Sequence, residues 1–300
     1  MTERISVDGR VCIVTGSARG IGLAIAEQLG TRGGKVVIND VDTMELDKAV
    51  AELRSKDIDA IGVAADVSST AGGLSLTTAA LERWGKVDVL VNNAGITRDA
   101  MFHTMTDEQW DGVLSTHVRA LFACTQPVVR HLRERAKADA SYDGGSIICM
   151  SSTSGLGGNL GQCNYAAAKA AVLGFVLSLA KETERQRTRV NAVVPTAWTR
   201  LVAAMPEHVL LKHLGEEGLA KMKARKPEHV AAVVCYLAST SSAGITGQFV
   251  RASGTTVGLV AHPRSAASRT DDQDLGPEAV ARIMDELRPA LQNLSGLGEL

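Results

Sequence analysis

The chain has 300 residues, 45% of them hydrophobic, with 32 Lys+Arg against 33 Asp+Glu and a formal net charge of −1. That is enough apolar material for one large α/β core, and the balanced charge exerts no overall pull on nucleic acid or a membrane surface. Five scattered cysteines (Cys12, Cys124, Cys149, Cys163, Cys235), with no C-x-x-C spacing, argue against a disulfide framework or a metal cage and for a cytoplasmic setting. The charged start "MTERISVDGR" has no apolar signal-like run, and the longest uncharged apolar stretch, 170–180, is far short of a membrane span.

Along the chain, short β-rich runs alternate with helical patterns. Val11–Thr15, Val36–Asn39, Ala60–Ala64, Val87–Val91, Ser146–Met150, Arg189–Val194 and Gln248–Val250 predict about seven strands. Several are continuous apolar runs, the pattern of parallel strands covered on both faces. Between them lie amphipathic stripes such as Ile21, Ala24, Ile25 and Leu29, then Leu46, Val50 and Leu53. This alternation predicts a doubly wound, Rossmann-type parallel sheet in a single domain over residues 1–260.

Three segments break the alternation. Residues 134–145 form a polar, Gly-ended stretch that reads as a surface loop. Residues 196–226 lack strand character and are expected to act as a substrate lid. Residues 262–276 are a Pro/Ser/Asp-rich linker to an amphipathic helix with Val280, Ile283, Met284 and Leu287 on one face. Pro277 suits its start, and Pro289 should end or kink it. Residues 261–300 are thus expected to be a linker and helical extension, docked on its own core or on a second subunit.

The first strand runs into "TGSARGIG", where Gly16, Gly20 and Gly22 stand before a predicted helix. Such a turn brings the backbone of Gly16, Ser17, Arg19, Gly20, Ile21 and Gly22 close to a phosphate at the helix N-terminus. The spacing is G-x-x-x-G-x-G, and the plainer alternative is a tight strand–helix turn. Asp40, ending the second strand, would accept hydrogen bonds from ribose hydroxyls and repel a 2′-phosphate, which favours NAD over NADP. Arg19 pulls the other way, and a lone Asp here could equally be a helix cap. Asp66 and Val67 end the third strand, where an adenine edge would lie.

"NNAG" ends the fourth strand: Asn93 reads as a tie between strands, with Asn92, Ala94 and Gly95 toward the cofactor. Ser152 stands at the ligand-binding end of the fifth strand, thirteen residues before Tyr165. Tyr165 and Lys169, four apart, share one helix face in an otherwise small, apolar segment. Either they sit at the edge of a packing face, or the lysine lowers the pKa of the phenol for proton transfer.

Taken together, Thr15–Gly22, Asn92–Gly95, Ser152, Tyr165 and Lys169 resemble the short-chain dehydrogenase/reductase family over about residues 5–255. The resemblance implies a nicotinamide-dependent oxidoreductase acting on CH–OH groups. Ser152 would polarise the substrate carbonyl and Tyr165 would transfer the proton. Lys169 would hold the nicotinamide ribose and, with the oxidised nicotinamide, lower the phenol's pKa. Pro195, Thr196, Trp198 and Thr199 fall where the family contacts the cofactor carboxamide, although its usual Pro-Gly is here Pro195-Thr196. A second departure is His117, where most members carry an Asn that completes a proton relay. An imidazole there would titrate at ~6.5 and add an ionisation to the pH profile.

"NNAGITRDAMF", "GNLGQCNYAAAK", "KPEHVAAVV" and "GPEAV" are most similar to the (3R)-hydroxyacyl-CoA dehydrogenase subgroup, the kind found in multifunctional enzyme type 2. This implies an acyl-thioester substrate, 3-hydroxyacyl-CoA, and a homodimer or homotetramer. A 3-oxoacyl-carrier-protein reductase and a hydroxysteroid dehydrogenase with a steroid-like substrate are the alternatives. A non-catalytic dinucleotide sensor could share the fold but would not need the Ser–Tyr–Lys set. The run "KMKARK" at 221–226, with Lys212, either faces CoA phosphates or is a solvated charge run.

Overall fold

The apolar runs assemble into one sheet in the computed structural model, which describes residues 5–198, 207–270 and 276–290. Its eight strands lie in the order β3-β2-β1-β4-β5-β6-β7-β8. They are β1 (Val11–Val14), β2 (Lys35–Asp40), β3 (Ala60–Ala64), β4 (Val89–Asn92), β5 (Ser146–Met150), β6 (Arg189–Thr196), β7 (Phe249–Ser253) and β8 (Thr256–Val260). The first seven pair in parallel and β8 runs antiparallel to β7. Strand order reverses between β1 and β4, so the crevice at their C-terminal ends is the ligand-binding position of an open α/β sheet.

Helices cover both faces. On one, α1 (Gly20–Gly30), α2 (Thr43–Ser55) and α9 (Pro227–Ala238) bury Ile25, Leu29, Leu53, Val234 and Leu237 against Val14, Ile38 and Ile148. On the other, α3 (Thr70–Trp84), α5 (Ala120–Ala138) and α7 (Cys163–Glu182) bury Leu76, Leu132, Val172 and Val176 against Ile13, Leu90 and Ile147. Each fully buried large side chain contributes about 1.5–3 kcal/mol. Among the described helices only α7 has the length and apolarity to cross a membrane, and its inner face, including Ala168, Val172 and Val176, is buried in the core.

The N-terminal end of the sheet is closed by charged side chains. Asp88, before β4, accepts from Arg135 (2.6 Å) and the Val11 backbone N–H (2.8 Å), with Lys86 at 3.2 Å. Burial alone would raise its pKa, but Arg135, the Val11 N–H and Lys86 together hold it below the usual carboxylate range. Arg10 donates to Ala238 O (3.0 Å) and Arg189 to Leu237 O (2.7 Å) and Ser239 O (3.0 Å). Two guanidinium groups thus satisfy carbonyls left open at the C-terminus of α9.

Three elements depart from the sequence reading. The eighth strand was not expected. It returns from β7 through a two-residue hairpin with Gly254 at φ +56°, and Val257 and Leu259 are 64% and 74% exposed, so it carries no burial signature. Residues 134–138 continue α5, and only 139–145 form the loop. Ala, Arg, Glu and Lys there are strong helix formers, and Arg135 is anchored by Asp88 and Val87 O (3.0 Å). In the segment 196–226, β6 extends to Thr196 and α8 (Glu207–Lys223) forms, broken at Gly215 (φ 66°, ψ 176°).

Two compact units emerge, Met1–Val260 and Ala261–Leu300. In the second, α10 (Pro277–Leu287) starts with Pro277 in its first turn and gives way to a 3₁₀ turn at Arg288, beside Pro289. Arg269 pairs with Glu286 at 3.3 Å.

Candidate active site

Four strand ends build the glycine turn. Asn39 accepts from Gly16 N through Oδ1 (3.3 Å) and from Ser17 N through its carbonyl (2.7 Å), and its amide donates to Val63 O and Ala65 O (3.0 Å each). Asn93 donates to Thr15 O (3.0 Å) and Gly16 O (2.9 Å), so it ties β4 to the turn as expected. Glycine is required by contact at two positions. A Cβ on Gly16 would meet Ala94 Cα at 2.7 Å, and one on Gly22 would meet Asn93 Nδ2 at 2.6 Å. Gly20 differs: its φ of +60° strains any other residue, while a Cβ there would have no neighbour within 4 Å. Arg19, at the N-cap of α1, makes no side-chain cap bond, which leaves the first backbone N–H groups of the helix available to an anion.

The expected cofactor residues divide accordingly. Gly16, Arg19, Gly20, Ile21 and Gly22 surround the turn. Ser17 points inward instead, its N–H bonded to Asn39 O and its hydroxyl donating to Val14 O (2.7 Å), so it braces the loop. The Asn92 side-chain amide donates to Thr125 Oγ1 (3.0 Å). Asp40 ends β2, and its carboxylate accepts from Asp42 N (3.2 Å). Arg19 lies 3.9 Å from Asp42. Asp66 is exposed and makes a local turn with Ser68 N (2.9 Å), while Val67 is buried. Ala94 and Gly95 follow β4. Beyond Pro195, the buried Thr196 hydroxyl has no partner. The Trp198 backbone N–H donates to Arg225 O (2.6 Å). Thr199 and the Lys212 side chain lie outside the described residues. The uncapped helix start, the open space at Gly20 and the orphaned Thr196 hydroxyl at the same end of the sheet fit a dinucleotide with a polar carboxamide end.

Tyr165 and Lys169 lie in the first two turns of α7. Lys169 is 4% exposed, donates to Met150 O (2.7 Å) and has its Nζ 5.6 Å from the Tyr165 ring centre. Burial pushes its pKa down to about 7. The Ser152 hydroxyl accepts from Ser154 N (3.2 Å) and lies close enough to the phenol of Tyr165 to oppose the rise in its pKa. The phenol's pKa is raised, by burial first, with Ser152 opposing and the charge of Asp99 adding.

His117 occupies a one-turn π-helix, Ser115–Arg119, between α4 (Asp107–Leu114) and α5. Its Nε2 lies 2.8 Å from Ile96 O and 3.2 Å from Ile96 N, and its ring meets Tyr165 edge-on at 5.3 Å and 82°. Gly95 makes room for it, because a Cβ there would strike the imidazole. Burial, then the Lys169 charge, push its pKa down to about 3, against the pull of the Ile96 carbonyl. The imidazole is therefore neutral at every ordinary pH, and the ionisation near 6.5 does not arise.

Several supporting residues were not singled out from sequence. Asn164 is fully buried and holds the loop before Tyr165 through Arg98 O and Gln109 O (2.9 Å each). Asn39 holds the glycine turn. A buried amide beside a functional motif was the available signal in both cases. The "KMKARK" run pairs within α8: Lys221 with Glu217 (2.7 Å) and Lys223 with Glu207 (2.9 Å).

Residues 10–208 match the family model described as short chain dehydrogenase. The chain belongs to the short-chain dehydrogenase family. As such it is an oxidoreductase acting on CH–OH groups with a nicotinamide dinucleotide. It is 39% identical to an acetoacetyl-CoA reductase of Acinetobacter sp., over 84% of this chain and 98% of that one. The 3-oxoacyl-(acyl-carrier-protein) reductase FabG of Thermotoga maritima is 35% identical, over 83% and 98%. Peroxisomal multifunctional enzyme type 2 of Mus musculus is 36% identical over 93% of this chain, which spans 37% of that protein. A solved short chain dehydrogenase from Mycobacterium avium superposes with a TM-score of 0.83 at 29% identity, covering 96% of this chain and 97% of that one.

Proposed function

We propose that this short-chain dehydrogenase interconverts (3R)-3-hydroxyacyl-CoA and 3-oxoacyl-CoA with NAD, with residues 1–260 as the catalytic domain. The observation that carries the substrate class is an apolar rim beside Tyr165. The bond from Ala100 N to Gly161 O (2.9 Å) joins the two segments that bear it. There Met101, Phe102 and Leu160 are 47%, 66% and 83% exposed. Exposed apolar groups gathered at a polar site are the mark of a surface that takes an apolar ligand, here an acyl chain.

When bound, the dinucleotide supplies the centre that gives or takes the hydride. In reduction, the Ser152 hydroxyl donates to the carbonyl oxygen at C3 and draws charge onto it. Tyr165, kept protonated by its raised pKa, delivers the proton to that oxygen as the hydride reaches C3, leaving the 3-hydroxy product. Oxidation runs the same path backward. Lys169 binds the nicotinamide ribose, and its pKa of about 7 suits it to reload the phenol with a proton. His117 holds the relay as a neutral acceptor and donor. Asp40 faces the adenosine ribose and disfavours a 2′-phosphate.

Initial rates with 3-oxoacyl-CoA, the same acyl group on a carrier protein and a ketosteroid, each with NADH and NADPH, test this reading. The CoA ester with NADH should win, NADH by roughly 10²-fold in kcat/KM, and Asp40→Ala should narrow that gap. Turnover of the steroid without the thioester would overturn the substrate class. Equal use of NADPH by the unaltered enzyme would hand cofactor choice to Arg19.

A further inference from the structure

Gln162, three residues before Tyr165, stands at the N-cap of α7 yet makes no cap bond. Its amide instead makes three side-chain bonds. Nε2 donates to Asp99 Oδ2 (2.8 Å), while Oε1 accepts from Ser154 Oγ (3.0 Å) and Asn159 Nδ2 (3.1 Å). An ionised carboxylate can only accept, so the amide nitrogen must face Asp99 and the oxygen must face Ser154. That orientation in turn directs the proton of the buried Ser154 hydroxyl toward Gln162. Ser154 then presents its backbone N–H to Ser152 Oγ, at 3.2 Å.

We propose that Asp99 and Gln162 are positioning residues, the carboxylate fixing which way the Gln162 amide faces and the amide holding the Ser152–Ser154 turn so that Ser152 stays aimed at Tyr165. The proposal rests on the roles assigned above to Ser152 and Tyr165. A chain of donors and acceptors with one possible direction is a rigid support, and a displacement of about 1 Å at a reacting group can lower a rate by about 10²-fold. The groups facing the phenol are the Ser152 hydroxyl, the neutral His117 ring at 5.3 Å, Lys169 at 5.6 Å and the Asp99 charge. The negative charge of Asp99 also disfavours phenolate, so the same residue affects geometry and titration.

The test is a swap of donor and acceptor in the full chain, read with whichever thioester or ketone the unaltered enzyme turns over. Gln162→Glu sets one carboxylate against another and removes the donor. We expect kcat/KM to fall by about 10–100-fold with the basic limb of the pH profile moved upward. Adding Asp99→Asn restores every bond with roles exchanged: the introduced amide donates to the introduced carboxylate, which still accepts from Ser154 and Asn159. The double variant should recover to within about threefold of the unaltered enzyme. Asp99→Asn alone should lose several-fold and move the basic limb downward. NADH affinity, read by fluorescence titration, should be unchanged in all three.

A Gln162→Glu variant at full rate, or a double variant no better than it, overturns the proposal. If Gln162→Glu does not fold, an Asp99→Asn variant with unaltered rate and pH limb overturns it instead. Ser152→Ala and Tyr165→Phe serve as references. Turnover surviving in them would overturn the assigned roles, whereas their inactivity with no rescue would sink only the positioning claim.

Discussion

At the N-terminal end of the sheet, Asp88 has a 4% exposed side chain and is met by Arg135, Lys86 and a backbone N–H. At the C-terminal end, Lys169 is equally deep and is met by one carbonyl and, among the described residues, by no carboxylate. The first charge is held in its ionised form, and the second is pushed toward its neutral form. Nearby, the Thr196 hydroxyl is buried without a partner and the Tyr165 pKa is raised. One sheet therefore carries a well-paired buried charge at one end and a sparsely paired one at the other, while orphaned hydroxyls occur at both, Tyr142 and Thr188 at the first and Thr196 at the second. The paired charge stabilises the fold. The sparsely paired one is poised to exchange a proton or to meet a ligand.

The sharpest way to test that contrast is to remove one group from each end. Under the proposed mechanism Tyr165→Phe should lower kcat by roughly 10²–10⁴, or ~3–5 kcal/mol, while melting temperature and dinucleotide affinity hold. Turnover within a few-fold of the unaltered enzyme would take the proton-transfer role from Tyr165.

Asp88→Ala should do the reverse, leaving kcat nearly unchanged while destabilising the fold by about 3–5 kcal/mol, because Arg135 and the Val11 N–H lose their partner. The folded pKa of Asp88 is depressed, so its contribution is present above the ordinary carboxylate range and is lost as pH falls through that depressed value. Urea denaturation at several pH values should show the two proteins converging in acid. A constant gap would mean that packing, not charge, is what Asp88 supplies.

The smallest expected effect is the most diagnostic. Lys169→Met should abolish turnover yet raise stability at neutral pH by on the order of 1–3 kcal/mol, since it removes a buried charge with too few partners. Its folded pKa, about 7, is below the ordinary lysine value, so the unfolded chain binds the extra proton between the two. The unaltered protein should therefore gain stability as pH rises above about 7, and the advantage of the variant should shrink there. A variant that melts lower at neutral pH would mean that the bond to Met150 O outweighs desolvation, and the contrast between the two ends would fail.

The sequence by itself determined the strand–helix alternation, the glycine turn after β1, the Asn93 tie and the adjacency of Tyr165 and Lys169 on one helix face. These follow from short local patterns: apolar runs, helical period, turn motifs and the positive φ that favours glycine. Only the tertiary structure decided the rest. β8 is an exposed edge strand whose partner, not its own pattern, makes it a strand. Residues 134–138 are helical partly because Arg135 reaches Asp88, 47 positions back. Gln162 meets Asp99 across 63 positions, and Asn92 turns to Thr125 across 33. The directions of the Tyr165 and His117 pKa shifts were likewise not legible. A pKa is set by how much water the whole fold removes and by which charges it brings near, and no local spacing encodes that sum.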